Sequence, residues 1–304
     1  MSKDLYGIPY MGSKTKMART IHKTLPAGNR FVDLFGGGFA MSHSALLLPN
    51  KYNSVLYNDY NALLVNLISD ALHGKYSYKN FKPKFITRQE FDRLKDSDGY
   101  VKYIWSFGNS GKNYLFAKDI EPLKHMAHDL IVFGKKSNEL EKMCPGINEA
   151  VKSKDIHSRR MDFCAFVRRH KNRFDQEQLQ QLNRLERLQR LQQLEQLNRL
   201  QQLEQLNRLE RLEVANMSYL DYEYREGDIV YCDPPYEGTA DYGSEFDFKQ
   251  FYDWAYSRPY QIWFSSYQIS DKRFKLVYAK RIRGTLAGSD GAVYNFERIY
   301  TNKA

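Results

Sequence analysis

A chain of 304 residues, 42% of them hydrophobic, is long enough for one large domain or two smaller ones around a real core. No apolar run approaches the eighteen or so residues of a membrane helix, and Cys144, Cys164 and Cys232 lack the spacing of a zinc site or a disulfide framework. The net charge of +10 suggests a polyanionic partner, and residues 81–175, with 20 Lys and Arg against 13 Asp and Glu, carry most of the excess, as a phosphate-docking surface would.

The N-terminal MSKDLYGIPYMGSK has no apolar signal core, so a cytoplasmic protein is expected. Within it PYMGSK (9–14), taken alone, reads as a surface turn ending in Lys14. FVDLF (31–35) is a short apolar run followed by Gly36, Gly37 and Gly38. A helix is predicted from Phe39 to about Leu48, a strand over 54–57 ending at Asn58-Asp59, and a helix over 62–72. Strand, glycine turn, helix, strand opens a doubly wound α/β sheet. The glycine turn has two readings: an ordinary turn before a helix, or a place where a ligand approaches the backbone. DLFGGGF is not GxGxxG, so a dinucleotide is not indicated. Asp59, 21 residues after Gly38, stands where an acid would bond the two hydroxyls of a ribose.

The middle differs. Thr87 and Glu90 fit a capping box. SFGNSGKNYLF (106–116) is a glycine-rich, aromatic and polar loop. Over 151–173, Arg159, Arg160, Arg168 and Arg169 alternate with Phe163, Phe166 and Val167, which predicts a basic amphipathic helix. From Leu179 to Leu212 leucine recurs at every third position, and RLQQLEQLN occurs twice in tandem, at 190–198 and 199–207. The residue types favour helix, yet a period of three drifts about 60° per step on a 3.6-residue helix; stacked turns of a solenoid suit the strict repeat as well. The copied unit suggests a duplicated coding sequence, and no catalytic role is assigned to it. The α/β pattern then resumes with a strand at 228–232, a helix near 248–255, a strand at 261–264 and a hairpin of 274–282 with 293–300. The expected organisation is one α/β domain, 1–80 with 214–304, split by an insertion at 81–213.

The stretch DIVYCDPPYEG (228–238) ends an apolar strand in an acid, two prolines and a tyrosine. The exocyclic amine of a purine is a poor nucleophile, because its lone pair is delocalised into the ring. Two acceptors aimed at its hydrogens would localise that pair. The Asp233 carboxylate is one, and the backbone carbonyl of Pro234, held by a fixed φ and backed by Pro235, is the other. Tyr236 can stack on the base.

PYMGSK, VDLFGGGF, Asp59 and DPPY stand in the order seen in the Dam-like family of DNA adenine methyltransferases, and the chain resembles that family over 5–75 and 225–300. The resemblance implies a Rossmann-like methyltransferase sheet and S-adenosylmethionine as methyl donor. It implies that Tyr10 and Lys14 contact this cofactor, that 33–38, with Asp33, Phe35, Gly36 and Gly38, wrap its methionine end, and that Asp59 holds its ribose. Asp233 would then lie between cofactor and target amine. The position of the insertion resembles the alpha-class arrangement, in which a target-recognition domain, here expected to be mainly helical, grips duplex DNA. Lys112, Asn113, Arg159, Arg160, Arg168 and Arg169 are its candidate DNA contacts. Residues 81–213 do not align with GATC readers, which leaves the target sequence open.

The expected reaction is site-specific methylation of the adenine N6 amine, by base flipping and direct transfer, with Cys232 as packing. A serine at position 233 would favour the cytosine amine, and an asparagine RNA or protein glutamine. A catalytically dead DNA-binding fold would lack motif residues that are present here. The seven histidines form no metal spacing, so no metal is expected. A companion restriction endonuclease would make the chain half of a restriction–modification pair. A monomer or weak dimer is expected, with no membrane partner.

Overall fold

The computed structural model describes residues 5–79, 81–171, 192–206, 209–238, 246–283 and 294–303. It divides into two compact units, Met1–Ser69 with Leu206–Ala304, and Asp70–Gln205. Its strands are β1 (Gly28–Asp33), β2 (Tyr52–Asn58), β3 (Leu212–Ala215), β4 (Asp228–Cys232), β5 (Ile262–Ser266), β6 (Lys275–Arg283) and β7 (Tyr294–Thr301). The described helices are α1 (Ala18–Thr24), α2 (Ala40–Leu46), α3 (Ala62–Leu72), α4 (Arg88–Leu94), α5 (Gly99–Ile104), α6 (Glu121–Phe133), α7 (Asn138–Met143), α8 (Ile147–Ala150), α9 (Ile156–Lys171), α10 (Gln192–Glu204) and α11 (Phe248–Ser257). None of the described helices is long and apolar enough to cross a membrane.

In the first unit all seven strands join one sheet, in the order β3-β2-β1-β4-β5-β7-β6, with β7 antiparallel to both neighbours. The parallel strands are buried on both faces, so they read as apolar runs rather than as an alternation. Period two still sorts their side chains. Val32, Leu34, Val230, Ile262 and Phe264 pack with Phe251, Trp254 and Ala255 of α11. Phe31, one position on, meets His22 of α1 at 4.8 Å between ring centres. Asp33 shares the Phe31 side of the sheet and is held by Ser42 of α2. The strand order reverses between β1 and β4, and the crevice at their C-terminal ends is where open α/β sheets take ligands.

The outer hairpin extends past this edge. β5 ends at Ser266, opposite Arg298, while β6 and β7 stay paired from Lys280↔Glu297 to Arg283↔Tyr294. Four further pairs at about 3.4 Å each make an overhang of about 14 Å.

The second unit is helical among its described residues, apart from one isolated bridge, Ser106↔Tyr114. Its core gathers Leu130 and Ile131 of α6, Leu140, Ile147, Phe163 and Val167 of α9, and Leu194 of α10. The capping box forms as expected: Thr87 accepts from the Glu90 amide, and Glu90 accepts from that of Thr87 at 2.8 Å. The basic helix starts later than the expected 151. Residues 151–155 are not helical, and the Asp155 carboxylate takes the Ser158 amide at 2.8 Å, which fixes the start at Ile156. Positions 172 and 173 of that prediction lie outside the described residues.

The leucine repeat is helical where it is described, over 192–204. Leu194, Leu197, Leu200 and Leu203 are all at most 1% exposed. Three steps of about 60° carry them round half the circumference, so α10 is covered on a broad front instead of along one stripe. The tandem copies lie nine residues apart, about two and a half turns, so equivalent residues face opposite ways. Gln193 is buried and its counterpart Gln202 is exposed. The rest of the repeat, 179–191 and 207–208, lies outside the described residues.

The units divide at 69/70 and 205/206, against the expected 80/81 and 213/214. The second difference has a visible cause. The Arg211 guanidinium donates to the carbonyls of Leu46, Tyr52 and Asn53 and ties the returning chain to the first unit before β3 begins.

Candidate active site

The glycine turn after β1 is shaped by close approach. A Cβ at Gly36 would lie 2.3 Å from the Tyr57 ring, and one at Gly38 would lie 2.6 Å from Cβ of Tyr10. The N-terminal segment is pinned on top: the Ile8 amide donates to Gly38 O at 2.8 Å, and the Gly7 amide to His43 Nδ1 at 3.0 Å. Gly7 has φ +60°, and a Cβ there would sit 2.1 Å from Gly38 O. Tyr10 thus lies across the glycines, its ring 3.3 Å from where a Gly37 side chain would begin.

Two carboxylates frame this cradle. Asp33 is buried, and its Oδ2 accepts from the amide and the hydroxyl of Ser42, while Oδ1 has no hydrogen-bond partner among the described residues. Burial pushes its pKa up to about 7 despite the Ser42 bonds, and the charges of Asp233 and Asp59 add to the rise. Asp59 leaves the end of β2 and accepts from the Gly37 amide at 2.9 Å and the Asn61 amide at 2.8 Å. Burial raises its pKa too. Phe35 departs from the expected cofactor role in its packing. Its ring joins Tyr219 at 5.4 Å, Phe251 at 5.7 Å and Phe246 at 5.9 Å, so it anchors the turn to the α11 side of the sheet.

The DPPY loop follows β4, next to the glycine turn. Pro234 is buried, and the Asp233 side chain is 17% exposed. Lys14, expected at the cofactor, reaches this loop: its Nζ is 2.7 Å from Asp233 Oδ2 and also donates to Gly12 O at 3.2 Å. The Tyr236 hydroxyl lies 3.0 Å from Asp233 Oδ1, and the Lys14 ammonium sits 4.9 Å from the centre of the Tyr236 ring. Burial raises the Asp233 pKa to about 6; Lys14 opposes the rise and Glu297 adds to it. Cys232 is buried in the core below, as the packing reading expects.

Two acids here escaped the sequence reading. Glu297 of β7 is 3% exposed, accepts from the Tyr236 hydroxyl and lies 3.7 Å from Lys14 Nζ. Glu237 accepts from Tyr252 at 3.0 Å and from the amide and hydroxyl of Ser270, which secures the far side of the loop. The adjacency of Glu237 to DPPY was a signal in the sequence. Glu297 offered none, since only the strand order brings it near.

The candidate DNA contacts of the second unit differ in availability. Arg159 is a correction: its guanidinium donates at 2.5–3.0 Å to the carbonyls of Ile131, Val132, Ser153 and Lys154, so it closes the end of α6. Arg160 pairs with Glu195 at 3.0 Å. Arg168 and Arg169 are exposed on α9, and Lys112 and Asn113 are exposed in the 106–116 loop. At the tip of that loop Phe107 is 66% exposed beside Gly108 and Asn109, both at positive φ, while Asn109 Nδ2 holds Tyr103 O at 2.8 Å.

A seven-stranded, mostly parallel sheet, with a glycine turn and an acid-ended strand meeting where its order reverses, is consistent with the Rossmann-like fold of methyltransferases. The chain matches the model of the D12 class N6 adenine-specific DNA methyltransferases over residues 10–278 and belongs to that family. It is therefore an adenine-specific DNA methyltransferase. No curated protein matches it.

Proposed function

We propose that the protein transfers a methyl group from S-adenosylmethionine to N6 of an adenine extruded from duplex DNA. The cradle fits this cofactor by its donor set. Asp33, with an unpartnered buried oxygen, and Asp59 suit a ligand that carries an ammonium, a sulfonium and a ribose. Tyr10, Asp33, Gly36, Gly38 and Asp59 would hold it, with Phe35 fixing the turn. When bound, it supplies an electrophilic methyl carbon on sulfur.

The chain's own residues prepare the nucleophile. Asp233 and the Pro234 carbonyl accept the two amine hydrogens, which localises the nitrogen lone pair. Tyr236 lies alongside the base, and the pocket positions the amine for direct attack without a covalent enzyme intermediate. Arg168, Arg169, Lys112 and Asn113 would hold the DNA backbone, and Phe107 would meet the bases; the inserted unit is in this reading the target-recognition domain.

The observation that carries the proposal is the Asp233 carboxylate, held by Lys14 and Tyr236 beside the glycine cradle. Tritiated-methyl transfer to plasmid DNA tests it. Asp233→Ala should abolish transfer while a gel-shift assay still detects DNA binding. Because the acceptor must be ionised, wild-type kcat should rise as pH climbs through about 6. Normal methylation by the variant would refute the mechanism.

A further inference from the structure

Both oxygens of Asp233 face a donor as the structure stands. Lys14 occupies Oδ2 at 2.7 Å and Tyr236 lies at 3.0 Å from Oδ1. An amine that is to be polarised competes with these two donors for the electron density of the carboxylate. A buried ammonium displaced from its partner would be left uncompensated, which is costly.

Glu297 stands where that ammonium could go. Its Oε1 is 3.7 Å from Lys14 Nζ, so the exchange requires a shift of only about 1 Å to reach ordinary ion-pair distance. The same oxygen accepts from the Tyr236 hydroxyl. A phenol has one proton to donate, so Tyr236 cannot serve Asp233 and Glu297 at once. Two carboxylates therefore share one ammonium and one hydroxyl, and whichever donor Asp233 gives up can pass to Glu297.

We infer that Glu297 is a positioning residue for methyl transfer: it keeps the hydrogen bond from the Tyr236 hydroxyl and takes over the Lys14 ammonium as the amine arrives, and so releases Asp233 to the substrate. The inference rests on Asp233 as the acceptor for the amine. The groups facing Asp233 are Lys14 from the N-terminal turn, Tyr236 of its own loop, and Glu297 from β7. The Asp33 carboxyl at the end of β1, the Tyr231 and Cys232 side chains of β4 and Tyr267 just after β5 also couple to it. Of these, Glu297 raises its pKa and Lys14 lowers it.

Glu297→Gln keeps the shape and an acceptor but removes the charge. Its steady-state kinetics should show kcat down about tenfold or more, with KM for DNA within about twofold. The ascending limb of its pH profile should move to lower pH, because the charge that raises Asp233 is gone. A purely structural role would not move that limb. A kcat within about twofold of wild type, or an unmoved limb, overturns the inference. If Glu297→Gln melts below the assay temperature, Glu297→Asp decides: the retained charge should leave the limb in place while the shortened side chain lowers kcat, and a wild-type kcat refutes the role. A wild-type enzyme that leaves adenine unmethylated would instead defeat the functional reading itself.

Discussion

At the scale of single residues, chemistry that lies in one local stretch could be read in advance. Asp233, Pro234 and Tyr236 sit in one motif, and Asp59 follows its strand at a fixed interval. Glu297 is different, since it reaches Tyr236 only because β7 inserts between β5 and β6. The contact of Lys14 with Asp233 was hidden for a similar reason: a lysine at the end of a turn gives no sign of which loop it will meet. Gly7 belongs here as well. Its positive φ and the 2.1 Å clash of any Cβ with Gly38 O mean that Gly7→Ala must move the N-terminal segment off the glycine turn. The variant should lose S-adenosylmethionine affinity by isothermal titration while its circular dichroism stays that of the wild type; unchanged affinity would show that the segment does not shape the cradle.

At the scale of elements, periodicity and capping gave helices and strands with boundaries off by one to a few residues. The capping box and β4 were legible because their signals are local. The leucine repeat was legible only in part: its residue types favoured the helix found over 192–204, but a three-residue period matches neither a helical stripe nor a strand, and the covering partners of α10 are remote in sequence. The half-turn between copies yields an asymmetric expectation. Gln193 is buried, with neither amide atom partnered among the described residues, whereas Gln202 is exposed. Gln193→Leu should raise stability by about 1 kcal/mol or more by removing unsatisfied polar atoms, and Gln202→Leu should leave it within about 0.5 kcal/mol. Urea unfolding of the two variants measures this, and equal effects would contradict the opposed faces.

At the scale of the whole molecule, buried titrating groups oppose one another. Burial lowers His22 and His128 to about 4, so their contribution is full above about 6.5 and declines as pH falls from there toward 4. Asp33 and Asp233 are raised to about 7 and about 6, so the folded state holds their protons longer than the unfolded chain, and they destabilise as pH rises from about 4. The two slopes partly cancel between pH 4 and 6.5. Asp33→Asn removes one side of the balance. In denaturant melts it should be more stable than wild type at pH 7, with the gap closing toward pH 4; a gap that does not depend on pH would contradict an elevated Asp33.

The overhanging ribbon of β6 and β7 bears on what can reach the Asp233 carboxylate. It rises about 14 Å beside the floor on which Asp233 lies, on the flank from which Glu297 leans in. If the substrate is an extruded adenine, as proposed, a parapet of that height would keep a base still locked in its stack at a distance and admit a lone nucleotide swung out on its own sugar–phosphate. In that reading the rim would screen substrates by how far they can extend before any atom of the base is inspected.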